Sequence, residues 1–90
     1  MQLLTIEIVC PITTTLLEVE WAEIEGPTGS FTITAGHAPL VSLITESFIT
    51  IKFSDECQAQ RHMLASDLAV IHVNDSMARI LCCASVGGEL

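Results

Sequence analysis

The side chains that could act as nucleophiles, bases or metal ligands are few in this 90-residue chain. Catalysis needs a nucleophile or base with a partner in reach and a means of stabilising developing charge. His62 and His72 alternate with neighbours in predicted strands, which favours surface or cross-strand roles. We predict no active site and no cofactor. The candidates weighed are His37, His62, His72, Cys10, Cys57, Cys82, Cys83, Ser66 and Asp67.

His37 is the exception among the histidines, because it lies between Gly36 and the Ala38-Pro39 pair. A histidine in such a loop can lock it by hydrogen-bonding nearby backbone, or it can contact a partner protein. The two roles are compatible, and the sequence leaves both open.

The cysteines indicate neither a disulfide framework nor a zinc site. Zinc needs three or four Cys or His ligands, usually with two close in sequence. Cys82 and Cys83 are the only close pair, and adjacent side chains on a strand point to opposite faces. We predict no metal and reduced thiols that pack as small core hydrophobes. A thiol-based redox role for Cys82 and Cys83 is a distant alternative.

The composition limits the possible partners. Three basic residues against eleven acidic ones give a net charge of −8, which argues against binding nucleic acid or an anionic lipid surface. The apolar runs are too short to cross a bilayer, and no secretory signal begins the chain. We expect a soluble, intracellular single domain whose partner presents a basic or neutral surface. Glu18, Glu20, Glu23 and Glu25 are predicted to form a solvated acidic face or, alternatively, to meet a basic partner.

Alternation of apolar and polar residues recurs along the whole chain and predicts short strands with one buried face. A phase slip after Trp21 suggests a bulge or a strong twist near Ala22, and residues 57–64 suggest an edge strand. No helical period is present. We therefore predict an all-β fold, a small two-sheet β-sandwich of about ten short strands. The alternating residues are Leu4, Ile6, Ile8; Leu17, Val19, Trp21; Ile49, Ile51, Phe53; and Ala78, Ile80, Cys82.

Residues 25–40 hold the most distinctive pattern. Gly26, Pro27 and Gly29 have the chemistry of a turn, since glycine allows positive φ and proline fixes φ. Residues 31–33 predict a strand, and residues 35–39 predict a tight, ordered loop. Shaped loops on a rigid scaffold often carry function.

This segment resembles the N-terminal β-sandwich domain of the epsilon subunit of F-type ATP synthases, called delta in mitochondria. The resemblance rests on Gly26, Gly29, Phe31, Ile33 and the run Gly36-His37-Ala38-Pro39-Leu40. Departures from the family pattern are Ser30, Thr32, Thr34, Ala35, Ser47 and the absence of glycine at residues 66–69.

The resemblance implies a non-catalytic central-stalk subunit that couples the gamma subunit to the c-ring for proton- or sodium-driven ATP synthesis. It implies a peripheral position on the cytoplasmic side of the inner (cell) membrane, without direct membrane insertion. Residues 26–30 would meet the polar c-ring loops, which carry arginine in the family, and residues 40–43 would lie nearer gamma. The implied partner interface comprises Gly26, Gly29, Ser30, Phe31, Gly36, His37, Pro39, Leu40 and Ser42.

By the same resemblance, residues 1–85 form the β-sandwich domain and residues 86–90 a short tail. The inhibitory C-terminal helical hairpin of the family is absent from these ninety residues. The alternative is a free-standing β-sandwich protein-binding module derived from the same fold. It stays open because this chain lacks several glycines of the family pattern.

Overall fold

The computed structural model describes residues 2–46, 48–64 and 68–82, and these form nine β-strands without a helix. The predicted all-β sandwich is confirmed. The strands are β1 (Leu4–Val9), β2 (Thr14–Val19), β3 (Trp21–Gly26), β4 (Gly29–Thr34), β5 (His37–Ile44), β6 (Phe48–Lys52), β7 (Gln60–Met63), β8 (Ala69–Asp75) and β9 (Met77–Cys82).

The strands form two sheets. The five-stranded sheet has the order β2-β1-β9-β8-β5, and the four-stranded sheet has the order β4-β3-β6-β7. Among the described strands, β1 and β9 make the single parallel pair, in which Ile8 lies opposite Ile80. All other pairs are antiparallel. The first and last described strands are therefore neighbours at the centre of one sheet.

The core lies between the sheets and is aliphatic. Strand alternation places every second residue inward, as in β1, where buried and half-buried positions alternate along the strand. Each fully buried aliphatic side chain contributes about 1.5–3 kcal/mol through removal of apolar surface from water. The largest fully buried side chains are Leu4, Ile6, Val19, Ile24, Ile33, Ile44, Ile49, Ile51, Ile71, Val73 and Ile80.

The predicted bulge or strong twist near Ala22, within one continuous strand, is wrong. β2 ends at Val19 and β3 begins at Trp21, and the two strands belong to different sheets. Val19 and Ala22 are both buried because each points into the shared core from its own sheet, Val19 from the five-stranded sheet and Ala22 from the four-stranded sheet. At the crossing, the Glu20 backbone N–H donates to the Lys52 carbonyl at 2.7 Å, and the Lys52 ammonium lies 3.5 Å from the Glu20 carboxylate.

The crossing also divides the predicted acidic face. Glu18 lies on β2 in the five-stranded sheet, whereas Glu23 and Glu25 lie on β3 in the other sheet. The four glutamates therefore do not form one surface. The prediction of one acidic face and the prediction of an irregularity near Ala22 fail for the same reason, because both assume that residues 17–25 form one strand.

The predicted loop at residues 35–39 is shorter than expected. β5 begins at His37, so only Ala35 and Gly36 connect β4 with β5. The register of β5 against β8 shifts between His37 and Leu40. Pro39 lies in this irregular stretch, where a residue without a backbone N–H interrupts the ladder least.

The edge strand is confirmed, since β7 borders the four-stranded sheet, although it spans fewer residues than the predicted 57–64. Cys10 and Cys82 are half-buried and pack against the core, as predicted. Cys57 is exposed, so its predicted role as a core hydrophobe is wrong. The predictions for Ser47, for Ser66 and Asp67, for Cys83 and for the tail at residues 86–90 lie outside the described residues.

Candidate partner interface

The turn between β3 and β4 projects two exposed residues, Pro27 and Thr28, from the pair formed by Gly26 and Gly29. Gly26 packs closely against β5, because a Cβ there would lie 3.3 Å from the Leu43 carbonyl oxygen and 3.4 Å from the Ser42 hydroxyl oxygen. The Thr45 backbone N–H donates to the Glu25 carbonyl at 2.9 Å beside this contact. The turn is thereby held against the five-stranded sheet.

Gly29 and Gly36 are required for a different reason. Their φ angles are +122° and +82°, and a Cβ on either would meet no atom within 4 Å. The constraint is therefore the positive φ of the backbone, which residues other than glycine rarely adopt. At Gly36 the conformation lets the backbone N–H donate to the Asp75 carbonyl at 3.2 Å.

Replacing Gly36 with valine is expected to lower the free energy of unfolding by about 2 kcal/mol, because a β-branched residue is strained at positive φ. Asparagine tolerates the left-handed region, so Gly36→Asn should lose less than half as much. Urea unfolding of the two variants measures the difference. Equal losses for Val and Asn would show that space, and not φ, determines the requirement.

His37 makes the hydrogen bond expected of a loop-locking residue. Its ring Nδ1 donates to the Ala38 carbonyl at 2.7 Å, and the residue pairs with Asp75 at the start of β5. The ring is half-buried. Its predicted contact with a partner protein stays a prediction.

The predicted interface residues do not form one cluster. β4 runs away from Gly29 for six residues, about 20 Å at roughly 3.3 Å per residue, before the chain reaches Gly36. Gly26, Gly29, Ser30 and Ser42 therefore lie toward one end of the sandwich, and Gly36 and His37 lie at the other. Between the ends, Phe31 and Leu40 are half-buried against the core, and Pro39 is exposed.

A larger surface, on the outer side of the five-stranded sheet, joins these ends. We call it the outer face. One row across it is apolar on four adjacent strands, because Val9 lies opposite Leu81, Leu81 opposite Val70, and Val70 opposite Leu43. Leu16, Val41 and Met77 extend the apolar surface, with Val41 66% and Leu16 64% exposed.

A polar row crosses the middle of the outer face. The Arg79 Nε donates to the Glu7 carboxylate at 2.7 Å. On the other side Arg79 lies opposite His72, which in turn lies opposite Val41. The ion pair neutralises two of the charges on the outer face, which also carries the exposed carboxylate of Glu18 beside Thr5. It also offers a fixed polar feature that a docking partner can align with.

The outer side of the four-stranded sheet is polar by comparison. One row there contains Thr32, Glu23, Thr50 and Arg61 on four adjacent strands. The Arg61 guanidinium carbon lies 3.8 Å from the centroid of the Phe48 ring, an arrangement that covers the aromatic surface. Within the described residues, the row that is apolar on four adjacent strands therefore lies on the outer face and has no counterpart on the other side of the sandwich.

Sequence reasoning located this surface only in part. The apolar run at residues 40–43 was predicted to face a partner, yet Leu40 points into the core while Val41 and Leu43 point outward. An apolar run on both faces of a strand carries no signal of which side is buried. The contributions of Leu81, Val70 and Leu16 come from strands far apart in sequence, and only the pairing of β1, β9, β8 and β5 brings them together.

Within the described residues, the histidine side chains that could act as bases or metal ligands lie apart from one another. His37 lies at the start of β5, His62 on the edge strand β7, and His72 on the outer face. No group of three or more His, Cys, Asp or Glu side chains within the described ranges is placed to hold a metal ion. The same ranges contain no helix long and apolar enough to cross a membrane.

Comparison with known proteins identifies the family. The model of the ATP synthase delta/epsilon chain, beta-sandwich domain, matches residues 3–87. The chain belongs to this delta/epsilon family. No curated protein sequence matches the chain, so the family is recognised through its domain pattern. The suspected resemblance to the epsilon β-sandwich is thereby confirmed.

Solved structures share the fold of this delta/epsilon domain. A chain of the Euglena gracilis mitochondrial ATP synthase, from a structure of OSCP, F1 and the c-ring, matches with a TM-score of 0.78 and 14% identity over 91% of this chain. A chain of the Tetrahymena thermophila mitochondrial ATP synthase central stalk and c-ring matches with a TM-score of 0.66 and 13% identity over 87%. The match covers only 51% and 61% of those chains.

Proposed function

We propose that this protein is a central-stalk subunit of an F-type ATP synthase that joins the gamma subunit to the c-ring. The family match over residues 3–87 carries the proposal. The structural likenesses support it, because both are to chains from ATP synthase complexes that include the c-ring. No observation favours the alternative of a free-standing module.

The outer face is the surface that we assign to gamma. Its apolar row spans β1, β9, β8 and β5, and burial of such a surface supplies most of the free energy of a stable protein–protein contact. The net charge of −8 favours a partner surface that is basic or neutral. His37 and Pro39 lie at the start of β5, the edge strand of the same sheet, and would lie at the rim of this contact.

The turn between β3 and β4 is the part that we assign to the c-ring. Pro27 and Thr28 are exposed at its tip, and Ser30 is exposed beside it. The packing of Gly26 against Leu43 and Ser42 holds the turn in place, so a force on the turn would pass directly to the five-stranded sheet.

The charge of residue 30 tests the assignment to the ring, because family rings carry arginine in the loops that the turn would touch. Ser30→Glu is expected to tighten c-ring binding about threefold to fivefold at low salt, and Ser30→Arg to weaken it by a similar factor. Neither change should alter gamma binding. Binding of each partner is measured separately, at low and high salt. Identical ring affinities for both variants at low salt would remove the turn from the contact.

The role that we infer is mechanical and non-catalytic. A close-packed core transmits strain between its two sheets with little deformation. A rigid domain fixed to both partners would carry torque from the ring to gamma during proton- or sodium-driven ATP synthesis. The subunit would be peripheral, bound through the complex on the cytoplasmic side of the membrane.

Affinity capture tests the proposal. The tagged chain is mixed with the gamma subunit and the c-ring of the same organism. We expect both to be retained together in stoichiometric amounts. Retention of neither partner, under conditions in which a full-length epsilon subunit retains both, would contradict the assignment and favour the free-standing module.

A further inference from the structure

Two thiols that are distant in sequence lie at the same end of two neighbouring strands, Cys10 directly after β1 and Cys82 as the last residue of β9. β1 and β9 are parallel neighbours, and their register pairs Ile8 with Ile80 and Val9 with Leu81. Cys10 follows Val9 directly, and Cys82 follows Leu81. Continuation of the register by one residue therefore places Cys10 beside Cys82.

The two side chains also share an orientation. Ile8 and Ile80 point into the core, and residues two positions further along a strand point the same way. Both cysteines are half-buried and pack against the core, which agrees with this alternation. The Cys10 backbone N–H donates to the Thr13 carbonyl at 2.8 Å, and this bond fixes Cys10 in the turn that follows β1.

We propose that Cys10 and Cys82 form a reversible disulfide when the protein meets a low-molecular-weight disulfide as oxidant. Neighbouring strands lie about 4.8 Å apart, within the span of roughly 4.4–6.8 Å between Cα atoms that a disulfide bridges. Their partial exposure gives a small oxidant access to the thiols. The inference goes beyond the stalk function and does not depend on it.

The chemistry is two successive thiol–disulfide exchanges. The thiolate of one cysteine attacks the oxidant, forming a mixed disulfide and releasing one small thiolate. The thiolate of the second cysteine then attacks the protein sulfur of that mixed disulfide and releases the second small thiolate. The two protons lost by the cysteines protonate the two leaving thiolates, and the oxidant gains the two electrons.

The bond would tie the turn after β1 to the end of β9 and close a loop containing most of the chain. Such a cross-link restricts the unfolded chain and raises the temperature of unfolding, here by roughly 10 °C. It would also join the strands next to Val9 and Leu81, which belong to the outer face. A reducing environment would return the pair to two thiols.

The test uses the full chain with Cys57→Ser and Cys83→Ser, so that Cys10 and Cys82 are the only thiols left. After incubation with oxidised glutathione, we expect the intact mass to fall by two hydrogens and the unfolding temperature to rise. Peptide mapping should find residues 10 and 82 linked, and dithiothreitol should reverse both changes. Addition of Cys82→Ser to this variant should abolish the loss of hydrogen and the thermal shift.

Two results would overturn the proposal. One is stable glutathione adducts on Cys10 or Cys82 without an internal bond. The other is a folded protein that stays reduced while the same variant, unfolded in urea, is oxidised by the same reagent.

Discussion

Leu81→Glu is expected to weaken gamma binding at least about a hundredfold. Leu81 lies on β9, near the middle of the outer face, between Val9 and Val70. Burial of an unpaired carboxylate at a protein contact costs several kcal/mol, and about 2.7 kcal/mol corresponds to a hundredfold change in affinity. Titration of gamma against wild type and variant measures the loss.

Thr32→Glu is the matched control. Thr32 is exposed on the outer side of the four-stranded sheet, so the same new charge there should leave gamma affinity within about twofold of wild type. Thermal unfolding of both variants verifies that they fold. Val41→Glu, at a more exposed position of the outer face, gives a second measurement if Leu81→Glu is unstable. Equal effects of Leu81→Glu and Thr32→Glu on gamma binding would remove the outer face from the contact.

Ile80→Ala is expected to lower the free energy of unfolding by about 2–5 kcal/mol. Ile80 is fully buried on the central strand β9 and lies opposite Ile8 on one side and Ile71 on the other. Removal of its side chain leaves a cavity in a core that contains no fully buried aromatic residue within the described ranges. Because small domains are marginally stable, the unfolding temperature should fall by roughly 10 °C or more.

The adjacent residue provides the control, since it points to the other side of the same sheet. Leu81→Ala should change the free energy of unfolding by less than about 1 kcal/mol and weaken gamma binding several-fold. Ile80→Ala should lower the free energy of unfolding but leave the affinity for gamma nearly normal, at a temperature where the variant remains folded. Loss of stability in Leu81→Ala comparable to that in Ile80→Ala would contradict the assigned faces of β9.

The strands could be predicted because alternation is local. β1 and β6 each show apolar residues at every second position, and each forms where the pattern indicates. The turn at residues 26–29 could be predicted equally well, since two glycines and a proline at this spacing are typical of a small number of turn conformations. In both cases the information lies within a few neighbouring residues.

The assignment of strands to sheets could not be predicted in the same way. Between Val19 and Ala22 the pattern only shifts phase, and a bulge and a crossing between sheets shift it equally. The neighbour of β1 across the parallel pair is β9, which lies at the far end of the described chain. Such long-range pairing depends on the whole core, so neither the outer face nor the proximity of Cys10 and Cys82 was visible in any one stretch of sequence.

Gradient-driven ATP synthesis tests the central claim most directly. The ATP synthase of the same organism is purified without this subunit, reconstituted into vesicles and supplied with an ion gradient, with and without the added chain. We predict that wild type and Thr32→Glu restore ATP synthesis and that Leu81→Glu does not. Full ATP synthesis without the chain would contradict a role in coupling gamma to the ring. Equal restoration by Leu81→Glu, added at a concentration below its expected dissociation constant for gamma, would contradict it as well.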